Sequence, residues 1–177
     1  IGGDEYDVSL DEDDKIKIDD KSYPLILKQK DNLEYAINNY SFDYPKEYSP
    51  SRSYIGEGIY QTAMMTPLGA IVMVQEYTTI DPTSLLGMMI AEVTKEERGY
   101  GYKIESKATT KTLSDGTVLK GKYVTSKYKD ADIKRYFFTY GVKDAGLFIM
   151  TQIDHEIALE NQNVIDMFFS SLKIKMK

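Results

Sequence analysis

Four consecutive strand-like runs, joined by very short turns, constrain the fold of this chain more than any other feature. The runs cover residues 102–113, 117–128, 133–142 and 147–153, and the turns fall at residues 114–116, 129–132 and 143–146. Turns this short join only antiparallel neighbours, because parallel strands need a crossover of about a dozen residues or more. The last two runs carry apolar side chains on both faces, so we predict a sheet that is covered on both sides there.

Three further strands are predicted upstream of this meander. Tyr40, Phe42 and Tyr44 alternate with polar residues until Pro45 ends the pattern, which indicates a strand with one apolar face. Residues 58–65 and 70–77 form two more runs around a four-residue turn at positions 66–69. That turn has Pro second and Gly fourth, the places where a tight turn favours them, so we predict a hairpin.

Two amphipathic helices complete the predicted set of elements. Asp81 and Pro82 are suited to the N-cap and the first position of a helix, and apolar residues follow at helical spacing to Val93. Gly99 and Gly101 are candidates for the left-handed exit from this helix. A closing helix over residues 156–172 places its apolar residues on one side. We therefore predict an α+β fold with an antiparallel sheet of about six to seven strands and two main helices.

The N-terminal segment is strongly acidic. Residues 1–20 hold nine acidic side chains and two lysines, which leaves the other 157 residues near neutral at +1 out of a total of −6. We interpret most of this segment as a loosely attached arm, with a short strand around Ile16 and Ile18. Residues 22–39 carry no clear pattern, and Pro24 argues against a central strand. The predicted division is an acidic arm and lead-in over residues 1–39 and a main domain over residues 40–177.

Composition removes several classes of function. The chain has no cysteine, which excludes disulfides, thiolate metal sites and cysteine nucleophiles. No run approaches the roughly 18 apolar residues of a membrane span. A near-neutral body offers no basic stripe for a phosphate backbone, so nucleic acid is not an expected partner. The chain begins at Ile1 instead of Met, so we expect a trimmed or processed chain, in which the missing targeting segment carries no information about the compartment and a lipid anchor is one possibility for the missing N-terminus.

Three stretches of the chain resemble the PsbP-like superfamily, which includes extrinsic photosystem proteins and small bacterial envelope lipoproteins. The stretch from Tyr40 to Pro45 resembles the aromatic strand that opens such domains, and residues 101–104 resemble the exit from their first helix. Residues 168–174 are similar to their final helix. The resemblance covers the chain from Tyr40 onward. It implies an α/β/α sandwich and a non-catalytic role in binding other proteins, and it carries no site residues with it.

Motifs of catalysis and metal binding are missing. His155 is the only histidine, and its neighbours Asp154 and Glu156 would have to converge with it to form an acid–base or metal site. We interpret the three as a polar cluster at a helix start, where a helix favours acidic side chains. The acidic run does not fit a calcium loop, since Lys15 and Ile16 fall where a ligand and a glycine are required. We predict no catalytic, cofactor-binding or metal-binding residues.

Tyrosine is the one abundant residue type that points to recognition. The chain has 15 tyrosines and no tryptophan. Tyrosine is enriched at protein interfaces, although strands also collect it for packing. The candidate recognition patch consists of Tyr100, Tyr102, Tyr136 and Tyr140.

Three functional hypotheses follow. The first is a non-catalytic protein of the cell envelope, tethered or secreted, that acts through contacts with an unidentified protein partner. The second is a small-ligand or glycan-binding domain with a pocket between the sheet and a helix. An enzyme that uses His155 is the third.

Overall fold

A computed structural model of the protein describes residues 9–10, 12–154 and 158–176, with the backbone alone for residues 158–160. The chain forms two compact units, which divide between Asn32 and Leu33.

The first unit is built on a two-stranded hairpin. Strand β1 (Asp13–Ile18) pairs antiparallel with β2 (Lys21–Ile26). Asp19 and Asp20 form the turn with φ angles of 48° and 61°, which Asp adopts more readily than most residues and which suit a two-residue hairpin turn. Part of the segment predicted to be a loose arm is therefore an ordered hairpin. Pro24 lies within β2, a place open to proline because both strands of a two-stranded hairpin are edges.

The second unit is organised around a seven-stranded sheet in which every neighbouring pair is antiparallel. Its strands in spatial order are β5 (Ser51–Gly56), β6 (Ile59–Met65), β7 (Ile71–Tyr77), β11 (Ala145–Asp154), β10 (Ala131–Val142), β9 (Val118–Tyr128) and β8 (Lys103–Thr112). A three-stranded and a four-stranded meander therefore join where β7 meets β11. The predicted strand number and antiparallel topology are confirmed. Strand β5 carried no sequence pattern, because an edge strand exposed on both faces needs no alternation.

The strand predicted at Tyr40 forms, but it lies outside the main sheet. A second sheet has the order β12 (Lys173–Ile174), β4 (Tyr40–Pro45) and β3 (Asn32–Ala36). Tyr40 and Phe42 are both fully buried in the large core cluster. Their burial explains the alternation, and the strand serves as a covering layer instead of an eighth strand of the main sheet.

The first predicted helix is divided into three pieces. Asp81 accepts a hydrogen bond from the Thr83 backbone N–H at 2.9 Å, as predicted for an N-cap, but a 3₁₀ turn (Pro82–Leu85) precedes helix α1 (Leu86–Val93). Helix α2 (Lys95–Gly99) starts after a break at Thr94, whose hydroxyl donates to the Ile90 carbonyl at 2.8 Å. Such back-bonding often bends a helix. Gly101 supplies the left-handed exit with a φ of 88°.

Helix α3 (Ala158–Ser171) covers one side of the main sheet together with the small sheet. Phe168 contacts Phe42 edge-to-face at 5.0 Å, and Phe169 contacts Phe138 in the same manner at 5.6 Å. The helix is thus packed between both sheets by aromatic pairs in their preferred geometry. We call the side of the main sheet that carries Phe138 the α3 face.

The opposite side, the α1 face, carries Phe137 and Phe148 and is covered by α1 and α2. Its second core cluster includes Ile90 of α1. Arg135 on β10 is 4% exposed and forms an ion pair with Glu97 of α2, which holds α2 against the sheet. The layers are helices, sheet, and helix with small sheet, so the predicted α/β/α sandwich is the observed architecture.

Candidate functional site

The four tyrosines of the predicted patch lie on opposite sides of the main sheet. Tyr102 stacks on Tyr128 with ring centroids 5.2 Å apart, and Tyr128 belongs to the α1 face by its position on β9. Tyr136 and Tyr140 belong to the α3 face, where Tyr140 packs against the core. Tyr100 follows α2 and is 74% exposed. The structure does not bring the four into one surface.

Tyr136 instead pairs with a tyrosine outside the predicted patch. The register of β9 and β10 sets Tyr136 opposite Tyr123, and their ring centroids are 4.9 Å apart. Tyr136 also stacks parallel on Phe138 at 6.1 Å, with the planes 4° apart. Phe138 is buried whereas Tyr136 is 38% exposed. The aromatic core therefore continues outward into a tyrosine pair that reaches the surface beside α3.

Lysines surround this tyrosine pair. The Lys107 ammonium lies 5.1 Å from the Tyr123 ring centroid, and the Lys111 ammonium lies 5.1 Å from that of Phe169. Lys127 shares the face by register, since it lies four residues from Tyr123 along β9. We call the surface made by Lys107, Lys111, Tyr123, Lys127 and Tyr136 the Lys/Tyr face.

The charge of this region differs from that of the whole chain. Residues 103–129 contain seven lysines and two acidic residues, a local net charge of +5. Only four of these lysines lie on the α3 face of β8 and β9 together with Glu105, namely Lys103, Lys107, Lys111 and Lys127, whereas Lys120 and Lys122 lie on the α1 face. That nucleic acid is not a partner stays a prediction.

Ion pairs occupy one end of the Lys/Tyr face and leave its centre positive. Lys103 pairs with Glu105 at 2.6 Å, and Lys127 pairs with Asp132 at 3.6 Å. Within the described part of the chain, no carboxylate forms an ion pair with Lys107 or Lys111, whose charges lie over aromatic rings. A ring attracts a cation more weakly than a buried carboxylate does, so these two charges remain open to a partner.

The hydroxyl of Tyr123 is held in its protonated form. Burial raises the pKa of Tyr123, and the neighbouring Tyr136 and Asp132 add to the effect. The group therefore remains a hydrogen-bond donor at any physiological pH. A donor hydroxyl on a ring that lies beneath the Lys107 ammonium is suited to a carboxylate oxygen.

An open groove of about 250 Å³ continues from the Lys/Tyr face between the sheet and α3. Its lining residues are Thr109, Thr110, Lys111, Tyr136, Phe138, Gln162, Ile165, Asp166 and Phe169. On its helix side, the Gln162 amide donates to Asp166 at 3.0 Å. Apolar rings and a polar rim are typical of small-ligand sites, although those usually measure about 300–1,000 Å³.

A second polar cluster lies on the α3 face near strand β5. Glu76 is 3% exposed, and its Oε2 lies 2.6 Å from Nη2 of Arg52. The Asn39 amide donates to the other Glu76 oxygen, and the Arg52 guanidinium lies 4.5 Å above the Tyr60 ring. Both carboxylate oxygens are engaged within the fold, so this cluster stabilises the sheet and leaves no free group for chemistry.

Tyr40 extends the same region into the core. Its hydroxyl donates to the Thr62 hydroxyl at 2.7 Å, and the Tyr35 hydroxyl lies 3.1 Å from the same oxygen. Burial raises the pKa of Tyr40 to about 12, so the group is neutral near pH 7 and cannot serve as an acid–base catalyst there.

His155 and Glu156, two of the three candidates at the helix start, lie outside the described residues, and Asp154 ends β11. In the described ranges, no three or more His, Cys, Asp or Glu side chains come together as a metal site. Among the helices of those ranges, none has the length and apolar character to cross a membrane.

The fold resembles that of known PsbP proteins. The solution structure of cyanobacterial PsbP (CyanoP) from Synechocystis sp. PCC 6803 matches with a TM-score of 0.55 at 12% sequence identity, covering 81% of this chain and 92% of that one. A crystal structure from Bacteroides thetaiotaomicron matches with a TM-score of 0.45 at 8% identity, over 84% of this chain and 50% of that one. No protein-family model and no curated protein sequence matches the chain. The predicted PsbP-like fold is confirmed by the first of these structures.

Proposed function

We propose that this PsbP-like domain is a non-catalytic interaction module that binds an acidic segment of a partner protein on its Lys/Tyr face. The observation that carries the proposal is the pair of half-buried Tyr123 and exposed Tyr136, flanked by Lys107 and Lys111 with their charges over rings. Tyrosine supplies contact area and a hydroxyl donor at interfaces, and lysine selects for negative charge.

The distribution of charge favours a protein over a nucleic acid as the partner. The whole chain carries −6, so it repels a long polyanion such as a phosphate backbone at a distance. The four lysines on the α3 face of β8 and β9, against Glu105 on the same face of these strands, attract a short acidic segment and fix its orientation. A partner with clustered Asp or Glu beside aromatic or aliphatic residues matches both parts of the face.

Site-specific photo-crosslinking in the native cell tests this proposal. The photoreactive residue p-benzoylphenylalanine is placed at Tyr136, and at Tyr100 as the matched control, since Tyr100 is also exposed but lies elsewhere. We expect a discrete adduct from position 136 alone, with an acidic peptide of the partner at the crosslink. Equal adducts from both positions, or a crosslinked nucleic acid, would contradict the proposal.

Charge-reversal variants test whether binding depends on the lysines of the Lys/Tyr face or only on the net charge of the chain. Lys107→Glu with Lys111→Glu is compared with Lys120→Glu and Lys122→Glu, which change the net charge equally on the same hairpin. Lys122 lies opposite Phe137 and therefore on the α1 face. The double change at Lys107 and Lys111 should abolish the adduct at position 136, whereas the double change at Lys120 and Lys122 should leave it. The yield of the adduct should also fall as the salt concentration rises.

The proposal also includes a location at the cell envelope, where the protein is tethered by a lipid anchor or secreted. Its support is the resemblance of three stretches to the PsbP-like superfamily, which includes bacterial envelope lipoproteins, and the strongly acidic segment over residues 1–20. Fractionation of the native cell, with detection by an antibody, checks this part separately. Recovery of the protein with the cytoplasmic fraction would overturn the proposed location. The proposed binding of an acidic segment would still be tested by the crosslinks.

A second candidate function is small-ligand or glycan binding in the groove between the sheet and α3. Its support is the groove itself, with the Tyr136 ring and the Gln162 and Asp166 side chains along it. Native mass spectrometry of protein purified from its own cells would detect a retained small molecule. Gln162→Trp, a change at an exposed rim position, should prevent retention by filling the groove, while Lys120→Glu on the other face should not.

A further inference from the structure

The two edges of the seven-stranded sheet are protected to very different degrees. Strand β8 ends the sheet on one side and carries Lys103, Lys107 and Lys111. Lysines on an edge strand discourage pairing with another chain, because a second strand would bury or crowd their charges. Strand β5 ends the sheet on the other side and contains no lysine.

Strand β5 is also exposed over almost its whole length. Residues 51–55 are all exposed, and they include Tyr54 at 61% and Ile55 at 50%. Its one charged residue, Arg52, is already paired with Glu76 inside the same chain. The strand therefore presents an open row of backbone donors and acceptors without the charges that usually guard such an edge.

The limits of the regular strand define how it can pair. Pro50 precedes it and has no N–H to donate, and a β-bulge interrupts the register between Tyr54 and Gly56. The regular register with β6 thus covers residues 51–54 and Ile55 is the bulge residue, so Ser53 is the last residue with a regular neighbour on each side.

We propose that β5 pairs antiparallel with β5 of a second copy of this chain, with Ser53 of each copy directly opposite the other. A two-fold axis through Ser53 sets Arg52 opposite Tyr54 of the second copy and Ser51 opposite Ile55 of the second copy. Arg52 and Tyr54 lie on the α3 face, opposite Thr62 and Tyr60 of β6. The Arg52 guanidinium stays with Glu76 and the Tyr60 ring of its own copy, so the junction on this face sets the aliphatic stem of Arg52 beside a Tyr54 ring, twice by symmetry. Like charges do not meet anywhere along the five residues.

The joined edges create one sheet of fourteen strands across two copies, seven from each. A contact of five residues on each side is small, so the dimer is expected to be weak and to form at high local concentration. The Lys/Tyr face is at the other end of the sheet and stays accessible in such a dimer. The inference therefore stands independently of the acidic partner.

Disulfide trapping tests the pairing, because the chain has no cysteine of its own and each variant gains a single thiol. Directly opposite residues in an antiparallel pair lie about 4.5–5.5 Å apart between Cα atoms, within the range of a disulfide. Ser53→Cys is compared with Ser106→Cys, an equally exposed serine in the middle of the guarded edge β8. Under mild oxidation we expect dimer from Ser53→Cys about tenfold faster, which corresponds to about 1.4 kcal/mol of pairing.

Three further variants test the pairing and its register. Ser51→Cys alone should form dimer slowly, because the two thiols would be offset by four residues, about 13 Å along the strands. A mixture of Ser51→Cys with Ile55→Cys should form the mixed dimer readily. Adding Ile55→Lys to Ser53→Cys should slow trapping to the rate of the β8 control, and a melting curve verifies that each variant is folded. Equal rates for Ser53→Cys and Ser106→Cys, or fastest trapping of Ser51→Cys with itself, would overturn the proposal.

Discussion

Replacing Glu97 by Gln should destabilise the domain far more than the loss of a surface charge. The carboxylate of Glu97 receives two bonds from Arg135, at 2.5 Å from Nη2 and 3.0 Å from Nη1. Arg135 keeps Gln152 at 2.7 Å and Ser126 at 3.3 Å in the variant, but its charge stays buried without a counter-charge. The amide also turns a donor toward the guanidinium.

The magnitude follows from these contacts. Breaking a buried ion pair costs about 3–5 kcal/mol, and the remaining acceptors and the partial exposure of Glu97 reduce this to about 2–4 kcal/mol. The free energy of unfolding is measured by urea denaturation at pH 7. Glu105→Gln is the matched control, since Glu105 pairs with Lys103 at 2.6 Å in full exposure and its loss should not be resolvable.

The pH dependence gives the same argument a second test. Burial raises the pKa of Glu97, but the hydrogen bonds from Arg135 and Ser126 and the charge of Arg135 outweigh it and hold the pKa below its ordinary value. The contribution of the carboxylate is therefore present above the unfolded pKa of about 4.3 and is lost as the pH falls through the lower folded pKa. The stability gap between wild type and Glu97→Gln should shrink in that acid range. A gap that does not change with pH, or a cost no larger than that of Glu105→Gln, would refute the reasoning.

Four other variants test the core and the close contacts. Phe168→Ala should cost about 3–5 kcal/mol in urea denaturation, because a fully buried ring between two sheets leaves a cavity. Tyr40→Phe should cost about 0.5–1.5 kcal/mol by removing the bond to Thr62, and the tyrosinate absorbance step at about 12 should vanish. Because unfolded tyrosine ionises near 10, wild type alone should lose the Tyr40 contribution as pH rises through that interval. Gly146→Ala should lower the melting temperature because its Cβ would lie 2.4 Å from a backbone oxygen, while Gly87→Ala, with open space in α1, should raise it.

The two ends of the main sheet give the domain two different surfaces for recognition. At the β8 end, lysines and a tyrosine pair form a face that suits an acidic partner. At the β5 end, an edge without lysine suits a strand of the same sequence. A dimer through β5 would present two Lys/Tyr faces on one particle, which would raise the apparent affinity for a partner with repeated acidic segments.

The break in the first helix shows where local pattern and tertiary contact disagree. The apolar spacing from residue 85 to Val93 and the Asp81 cap predicted one continuous helix. Thr94 interrupts it, and α2 then reaches Arg135 through Glu97. The partner that makes the interruption favourable lies on β10, 38 residues further along the chain. A pattern read along one segment has no access to that contact.

The length of one turn decides which residue lies opposite Tyr123. The sequence places the turn between the second and third runs at residues 129–132, which would set Tyr123 opposite Phe138. The structure turns on two residues, with Lys129 at a φ of 51°, and sets Tyr123 opposite Tyr136. A shift of two positions keeps every side chain on its own face but changes each cross-strand neighbour. Alternation along each strand therefore predicts which residues of β9 and β10 share the α3 face. It does not predict that Tyr123 and Tyr136 lie opposite each other.

The sequence by itself determined the antiparallel meander, the hairpin of β6 and β7, the cap at Asp81 and the closing helix. Those features depend on alternation, turn chemistry and capping between residues close together along the chain. The tertiary structure alone decided that β7 meets β11, that Tyr40 belongs to a separate sheet, and that the lysines of β8 surround two tyrosines. Val74 and Ile149 lie opposite each other in that junction, although they are 75 residues apart. Such a contact is set by which apolar surfaces bury each other most completely, and no local signal encodes that choice.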